Sequence, residues 1–217
     1  MATIRFCFDY ISPYAYLAWS QLHALAERTR ATVEPEPILF AALLNAHGTK
    51  GPAEIPAKRL YVIQDVVRSA KMLGIPLAPP PSHPFNPLTA LRLTSLPMDA
   101  EVRRKLIDAL FAAARGGGPG ITEDGILASI AERAGFDGSV AVREAHEAPA
   151  KERVRAQTER ALQSGAFGVP TMFVGGELFW GYDSLGHLER YLNGAEPADP
   201  ALLQRWKDLP ASANRKI

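Results

Sequence analysis

Residues 3 to 9 alternate: Ile4, Phe6 and Phe8 fall on one side, and Thr3, Arg5, Cys7 and Asp9 on the other. This period of two predicts a strand. The period changes at Ser12-Pro13, after which Tyr14, Leu17, Ala18, Leu22, Leu25 and Ala26 recur at helical spacing. Ser at the N-cap with Pro at the first helical position marks a helix start. A second strand is predicted over residues 32–39, giving a β-α-β unit with a right-handed crossover.

Residues 41–56, rich in Gly and Pro, predict a loop. Leu60, Ile63, Val66, Val67, Ala70 and Leu73 then predict an amphipathic helix stopped at Gly74-Ile75-Pro76. Residues 79–84, mostly proline, predict a stiff connection. Helical spacing returns at Val102, Leu106, Ala109, Leu110 and Ala113, and again at Ile126, Leu127, Ile130, Ala131 and Ala134. The region 57–164 is therefore expected to be all-helical, with Gly116–Gly120 breaking two of its helices. Strand patterning resumes at Thr171–Val174 and Glu177–Trp180 around Gly175-Gly176, which predicts a hairpin with a two-residue turn. A last helix is expected from Ser184 to about Leu192, and the Pro- and Ala-rich tail after Gly194 reads as a helical turn or a loose arm. With the helical block removed, the order is β-α-β followed by β-β-α. That is the plan of a thioredoxin fold, so the fold class is α/β with a large all-helical insertion. The expected division is a discontinuous domain of residues 1–56 and 165–217, interrupted by an insertion of residues 57–164.

Composition narrows the function classes. The chain has 217 residues, 47% of them hydrophobic and 22% charged, enough for a substantial core. Lys and Arg number 24 against 23 Asp and Glu, which leaves no long-range field for a phosphate backbone, so nucleic acid is not an expected partner. The single cysteine, Cys7, excludes an internal disulfide framework and a Cys-rich zinc site. It lies within the first strand and is expected to be buried and inert. No apolar run reaches the ~20 residues of a membrane span, and the N-terminus reads as a strand rather than a signal peptide, so a cytoplasmic protein is expected. The five histidines show no metal-ligand spacing, and the 116–120 glycines lack the Gly-Lys-Ser/Thr ending of a phosphate loop.

Two features carry candidate chemistry. Ser12 ends a strand and caps a helix, so its hydroxyl lies at the positive end of a macrodipole, a place that stabilises a thiolate or another anion. Taken alone, it also reads as a plain cap. Val169-Pro170 leads into the hairpin. A cis bond there would present the Val169 backbone to a peptide-like ligand, and a trans bond would be an ordinary strand start.

Together they resemble the DsbA-like branch of the thioredoxin superfamily, and within it the 2-hydroxychromene-2-carboxylate isomerases and kappa-class glutathione transferases. The matching segments are Phe8–Ala18, Pro56-Ala57-Lys58 with Tyr61, Asp65 and Arg68, Pro84-Phe85-Asn86, and Phe167–Val174 running on to Phe179–Asp183. Redox members of the superfamily hold Cys-x-x-Cys after the first strand. Here the segment reads Ser12-Pro13-Tyr14-Ala15, and without either sulfur dithiol–disulfide exchange there is impossible.

The resemblance implies that a glutathione sulfur takes the vacant place, with Ser12 donating to its thiolate. It implies that Val169 and Pro170 pair with the tripeptide backbone as an added strand, and that Asp183 and Ser184 hold the γ-glutamyl end. Lys58 and Lys50 would bind a carboxylate of glutathione or substrate, while Tyr14, Thr49 and Asn86 would face the substrate. Without the resemblance, Asp183 reads as a helix cap and the lysines as solvated surface. The implied activity is isomerisation of a small aromatic keto acid with glutathione as a borrowed nucleophile, and the implied assembly is a homodimer. The implied alternatives are a kappa-like transferase or a non-catalytic binding module. Two positions depart from the pattern. Tyr182-Asp183-Ser184 stands where many members carry Asn-Asp-Arg or Ser-Asp-Arg, and Thr49 stands where Asn is common.

Overall fold

A computed structural model describes residues 1–195 and 199–210. Strand β1 (Thr3–Phe8) leads into helix α1 (Pro13–Arg28) and strand β2 (Thr32–Pro37). Helix α2 (Phe40–Ala46) and a 3-10 turn (Pro52–Glu54) connect to α3 (Pro56–Leu73). Five further helices follow: α4 (Leu88–Thr94), α5 (Ala100–Arg115), α6 (Asp124–Ala134), α7 (Gly138–His146) and α8 (Ala148–Gln163). The chain then returns through β3 (Thr171–Val174), β4 (Glu177–Trp180), a 3-10 turn (Tyr182–Ser184), α9 (Leu185–Leu192) and α10 (Pro200–Lys207). The sheet order is β2-β1-β3-β4, with β1 parallel to β2 and the other pairs antiparallel. This is the expected thioredoxin plan with helices inserted between β2 and β3.

Both faces of β1 are covered. Ile4, Phe6, Phe8 and Tyr10 pack with α1 and with Leu106, Leu110 and Phe111 of α5 in one continuous core. Cys7 joins Ile38, Leu43, Ala161 of α8, Val169 and Phe173 on the opposite face. Burial there pushes the Cys7 thiol up, so it stays protonated and inert. It donates to Glu36 Oε2 at 3.4 Å. The buried Glu36 carboxylate is also paired with Arg160 Nε at 2.8 Å and Arg5 Nε at 3.5 Å, which ties α8 to the sheet.

Several boundaries differ from the sequence expectation for identifiable reasons. The second strand stops at Pro37 rather than residue 39; Pro35 and Pro37 are tolerated because β2 is an edge strand. Part of the expected 41–56 loop is the helix α2. Its N-cap, Leu39, supplies no side-chain cap; the distant Asp9 does so instead, accepting from Phe40 N at 2.9 Å. Helix α3 begins at Pro56, one turn before the first apolar position, and ends as expected with Gly74 left-handed (φ 66°). The hairpin turn has Gly175 and Gly176 at φ 58° and 92°, the primed geometry that a two-residue turn requires. Of the tail, Pro200–Lys207 is helical, while residues 196–198 and 211–217 lie outside the described residues. Among the described residues no helix is long and apolar enough to cross a membrane.

Candidate functional site

Ser12 sits where β1 hands over to α1, and only 8% of it is exposed. Its Oγ accepts from Ala15 N at 3.2 Å, as an N-cap should, and donates to the Val169 carbonyl at 3.3 Å. The turn before it is bonded throughout. Ser12 N donates to Asp9 O at 3.0 Å, and the Asp9 carboxylate accepts from Ile11 N at 3.0 Å. The guanidinium of Arg115, at the end of α5, donates to the carbonyls of Tyr10 (3.3 Å) and Ile11.

The segment before β3 is held as tightly. Val169-Pro170 is cis. His47 Nε2 meets Ala166 O at 3.0 Å, and Thr171 Oγ1 donates to Gly168 O at 2.8 Å. The Val169 carbonyl is taken by Ser12, and the Pro170 carbonyl by Gly181 N at 2.9 Å. The Val169 N–H finds no acceptor among the described residues. The Val169 amide is thus free beside a capping hydroxyl, at the positive end of a helix of 16 residues. Strand addition requires such an amide.

Asp183 is exposed in the turn before α9 and has no hydrogen bond or ion pair among the described residues. It is not the helix cap: the cap is Ser184, whose hydroxyl donates instead to Gly181 O at 2.8 Å. Gly181 adopts φ 88° and ψ 159°, a backbone conformation that strains any residue with a Cβ. Tyr14 donates to Asp65 Oδ2 at 2.8 Å, joining α1 to α3; burial and the neighbouring Asp65 push its phenol up. Asn86 is exposed, and its Oδ1 accepts from Leu88 N at 3.0 Å in the turn that starts α4. Lys58, in the first turn of α3, and Thr49 and Lys50, after α2, are exposed. Ser12 and Val169 are therefore brought into direct contact, and His47 anchors the segment after α2 beside them. Lys50, Lys58 and Asn86 make no hydrogen bond or ion pair to Ser12, Val169 or Asp183 among the described residues.

The sequence reading passed over the buried groups behind Ser12. Asp9 is 1% exposed and Arg115 4% exposed. In the sequence Asp9 reads only as the polar side of a strand, and Arg115 as an ordinary basic residue in a last helical turn. The available signal was their position, one at a strand end and the other beside a glycine break. Burial lifts the Asp9 carboxyl to about 6, against the lowering effect of its two amide donors and Arg115. Burial, with Arg115 and Arg59 adding to it, drops His83 to about 4.

These two shifts act oppositely on stability. Asp9 holds its proton in the folded state up to about 6, against 3.8 ordinarily, so its contribution is lost as pH rises through that window. His83 is neutral when folded down to about 4, against 6.5 ordinarily, so its contribution is lost as pH falls through its own window. The slopes should largely cancel between about pH 4 and 6. Across that range the urea midpoint of Asp9→Asn should rise with pH and that of His83→Gln should fall. Slopes equal to that of the unchanged protein in both variants would refute this assignment.

Among the described residues no group of three or more His, Cys, Asp or Glu could hold a metal ion. The family model for the DSBA-like thioredoxin domain matches residues 3–193. A 2-hydroxychromene-2-carboxylate isomerase of Pseudomonas putida is 32% identical over 189 residues, spanning 86% of this chain and 92% of that protein. Glutathione S-transferase kappa 1 of Rattus norvegicus is 26% identical over 174 residues, spanning 76% and 77% of the two chains. The solved structure of a 2-hydroxychromene-2-carboxylate isomerase superposes with a TM-score of 0.82 at 28% identity, covering 96% of this chain and all of that one. The chain therefore belongs to the DsbA-like thioredoxin family, and within it to the 2-hydroxychromene-2-carboxylate isomerases.

Proposed function

We propose that this enzyme isomerises 2-hydroxychromene-2-carboxylate-type aromatic keto acids with glutathione as its cofactor. The observation that carries the reading is the Ser12 hydroxyl lying 3.3 Å from the Val169 carbonyl, with no cysteine in the turn. When bound, glutathione supplies a thiolate that adds reversibly to a conjugated carbon, frees the former double bond to rotate, and leaves unchanged. The protein's own groups fit such a guest. Ser12 donates to the sulfur, turning its hydroxyl from Val169 O. The Val169 N–H pairs with the cysteinyl backbone beside Pro170. Asp183, unpaired among the described residues, accepts from the γ-glutamyl ammonium, and the Ser184 amide, turned from Gly181 O, takes its carboxylate. Lys58 and Lys50 serve carboxylates of glutathione and substrate, and Tyr14, Thr49 and Asn86 line the substrate side.

Calorimetry should detect glutathione binding, and ring-opened naphthalene-type keto acids should isomerise without consuming it. The second reading, a kappa-like transferase, is favoured by the 26% identity to the rat kappa 1 enzyme. It predicts instead that glutathione is consumed on chlorodinitrobenzene. Absence of glutathione binding would overturn both readings and leave a binding module. The assembly we propose is a homodimer; a 23.6 kDa particle in sedimentation at micromolar concentration would contradict it.

A further inference from the structure

We infer that Arg115 is a positioning residue for the Ser12 turn: its buried guanidinium holds the Tyr10 and Ile11 carbonyls, so that their negative ends are kept away from position 12. The inference rests on the reading of Ser12 as the thiolate's partner. It begins from a charge that the fold need not bury. Arg115 belongs to the helical insertion, yet it reaches the turn between β1 and α1 and bonds the two carbonyls directly preceding Ser12. Its Nη2 bonds both oxygens, while its Nε is buried and has no acceptor, so the donor set is incompletely satisfied. The Ile11 peptide is gripped from both sides, its N–H by Asp9 and its carbonyl by Arg115. The guanidinium also lies over the Phe85 ring, 5.3 Å from its centre. Burial lowers Arg115 to about 10, so it remains charged at neutral pH.

Freed of this clamp, the Ile11 carbonyl would rotate toward water and present its negative end near the sulfur position. The Ser12 Cβ–Oγ bond would turn with it. Lysine keeps the charge, but its flexible ammonium lacks the planar guanidinium that lies over Phe85, so it holds the two carbonyls less firmly.

The test reads the environment at position 12 without glutathione. In a Ser12→Cys background the thiol pKa is followed by alkylation rate against pH; Cys7 is buried and stays silent. The new thiol should titrate below the ordinary ~8.5 of a free cysteine. Adding Arg115→Met should raise it by about one unit, a tenfold loss of thiolate at fixed pH below the pKa. Arg115→Lys, the variant better able to fold, should raise it by a smaller but measurable amount. Unchanged thiol pKa in folded Arg115→Lys protein, with only a lower melting temperature, would reduce Arg115 to a structural role and overturn the inference. Glutathione affinity of the unchanged protein is measured in parallel, and its absence would count against the functional reading without altering the pKa result.

Discussion

Ser12→Ala should leave the fold intact while raising the pKa of the bound glutathione thiol by about one to two units and lowering turnover at neutral pH roughly 10- to 100-fold. A hydrogen bond to a charged group contributes about 1.5–3 kcal/mol, and one pKa unit corresponds to about 1.4 kcal/mol. The helix field remains in the variant, so binding weakens without vanishing. The same substitution removes the bond from Ala15 N, which should cost about 1 kcal/mol of stability as an N-cap loss. The two effects separate in measurement: thiolate absorbance against pH reports the first, and urea unfolding reports the second. Ser12→Thr, which keeps the hydroxyl, should restore most of both. A titration curve that Ser12→Ala leaves unmoved would remove Ser12 from the chemistry.

Phe111→Ala should produce the largest loss of stability, about 3–5 kcal/mol. Phe111 is fully buried on α5, and its ring lies 5.6 Å from Phe8, 4.8 Å from Tyr10 and 5.8 Å from Tyr16. These aromatic contacts join the inserted helices to the first strand and first helix. We propose that residues 1–56 with 165–217, and residues 57–164, are divisions of the chain that share one core. Unfolding should then remain a single transition, displaced to lower urea, and glutathione affinity should fall with it because Tyr10 lies two residues before Ser12. Two resolved transitions would show that the insertion unfolds alone and would contradict the shared core.

Much of this architecture is legible in the sequence because its signals are local. The change of period at Ser12-Pro13, the hairpin glycines and Gly74 each carry their own geometric reason. The Ser12–Val169 contact spans 157 residues, yet it too could be read, because each half has a short motif of its own. Helix α2 could not, since the acceptor that starts it is Asp9, far away in sequence. Arg115, beside a glycine break, and His83, in a proline-rich connection, are hidden for the same reason: each reads as surface until the fold shows what covers it. Asp183 presents the reverse case. Its sequence position suggests a cap, and the structure frees it by letting Ser184 bond to Gly181 instead. Tyr182 and Ser184, the positions that depart from the pattern, form the 3-10 turn that carries Asp183.

The most direct test of the account is a crystal of the protein soaked in glutathione. The sulfur should lie within hydrogen-bond distance of Ser12 Oγ, with the cysteinyl carbonyl on Val169 N–H and the γ-glutamyl ammonium on Asp183. A tripeptide bound elsewhere on the surface, or one whose sulfur points away from Ser12, would contradict it.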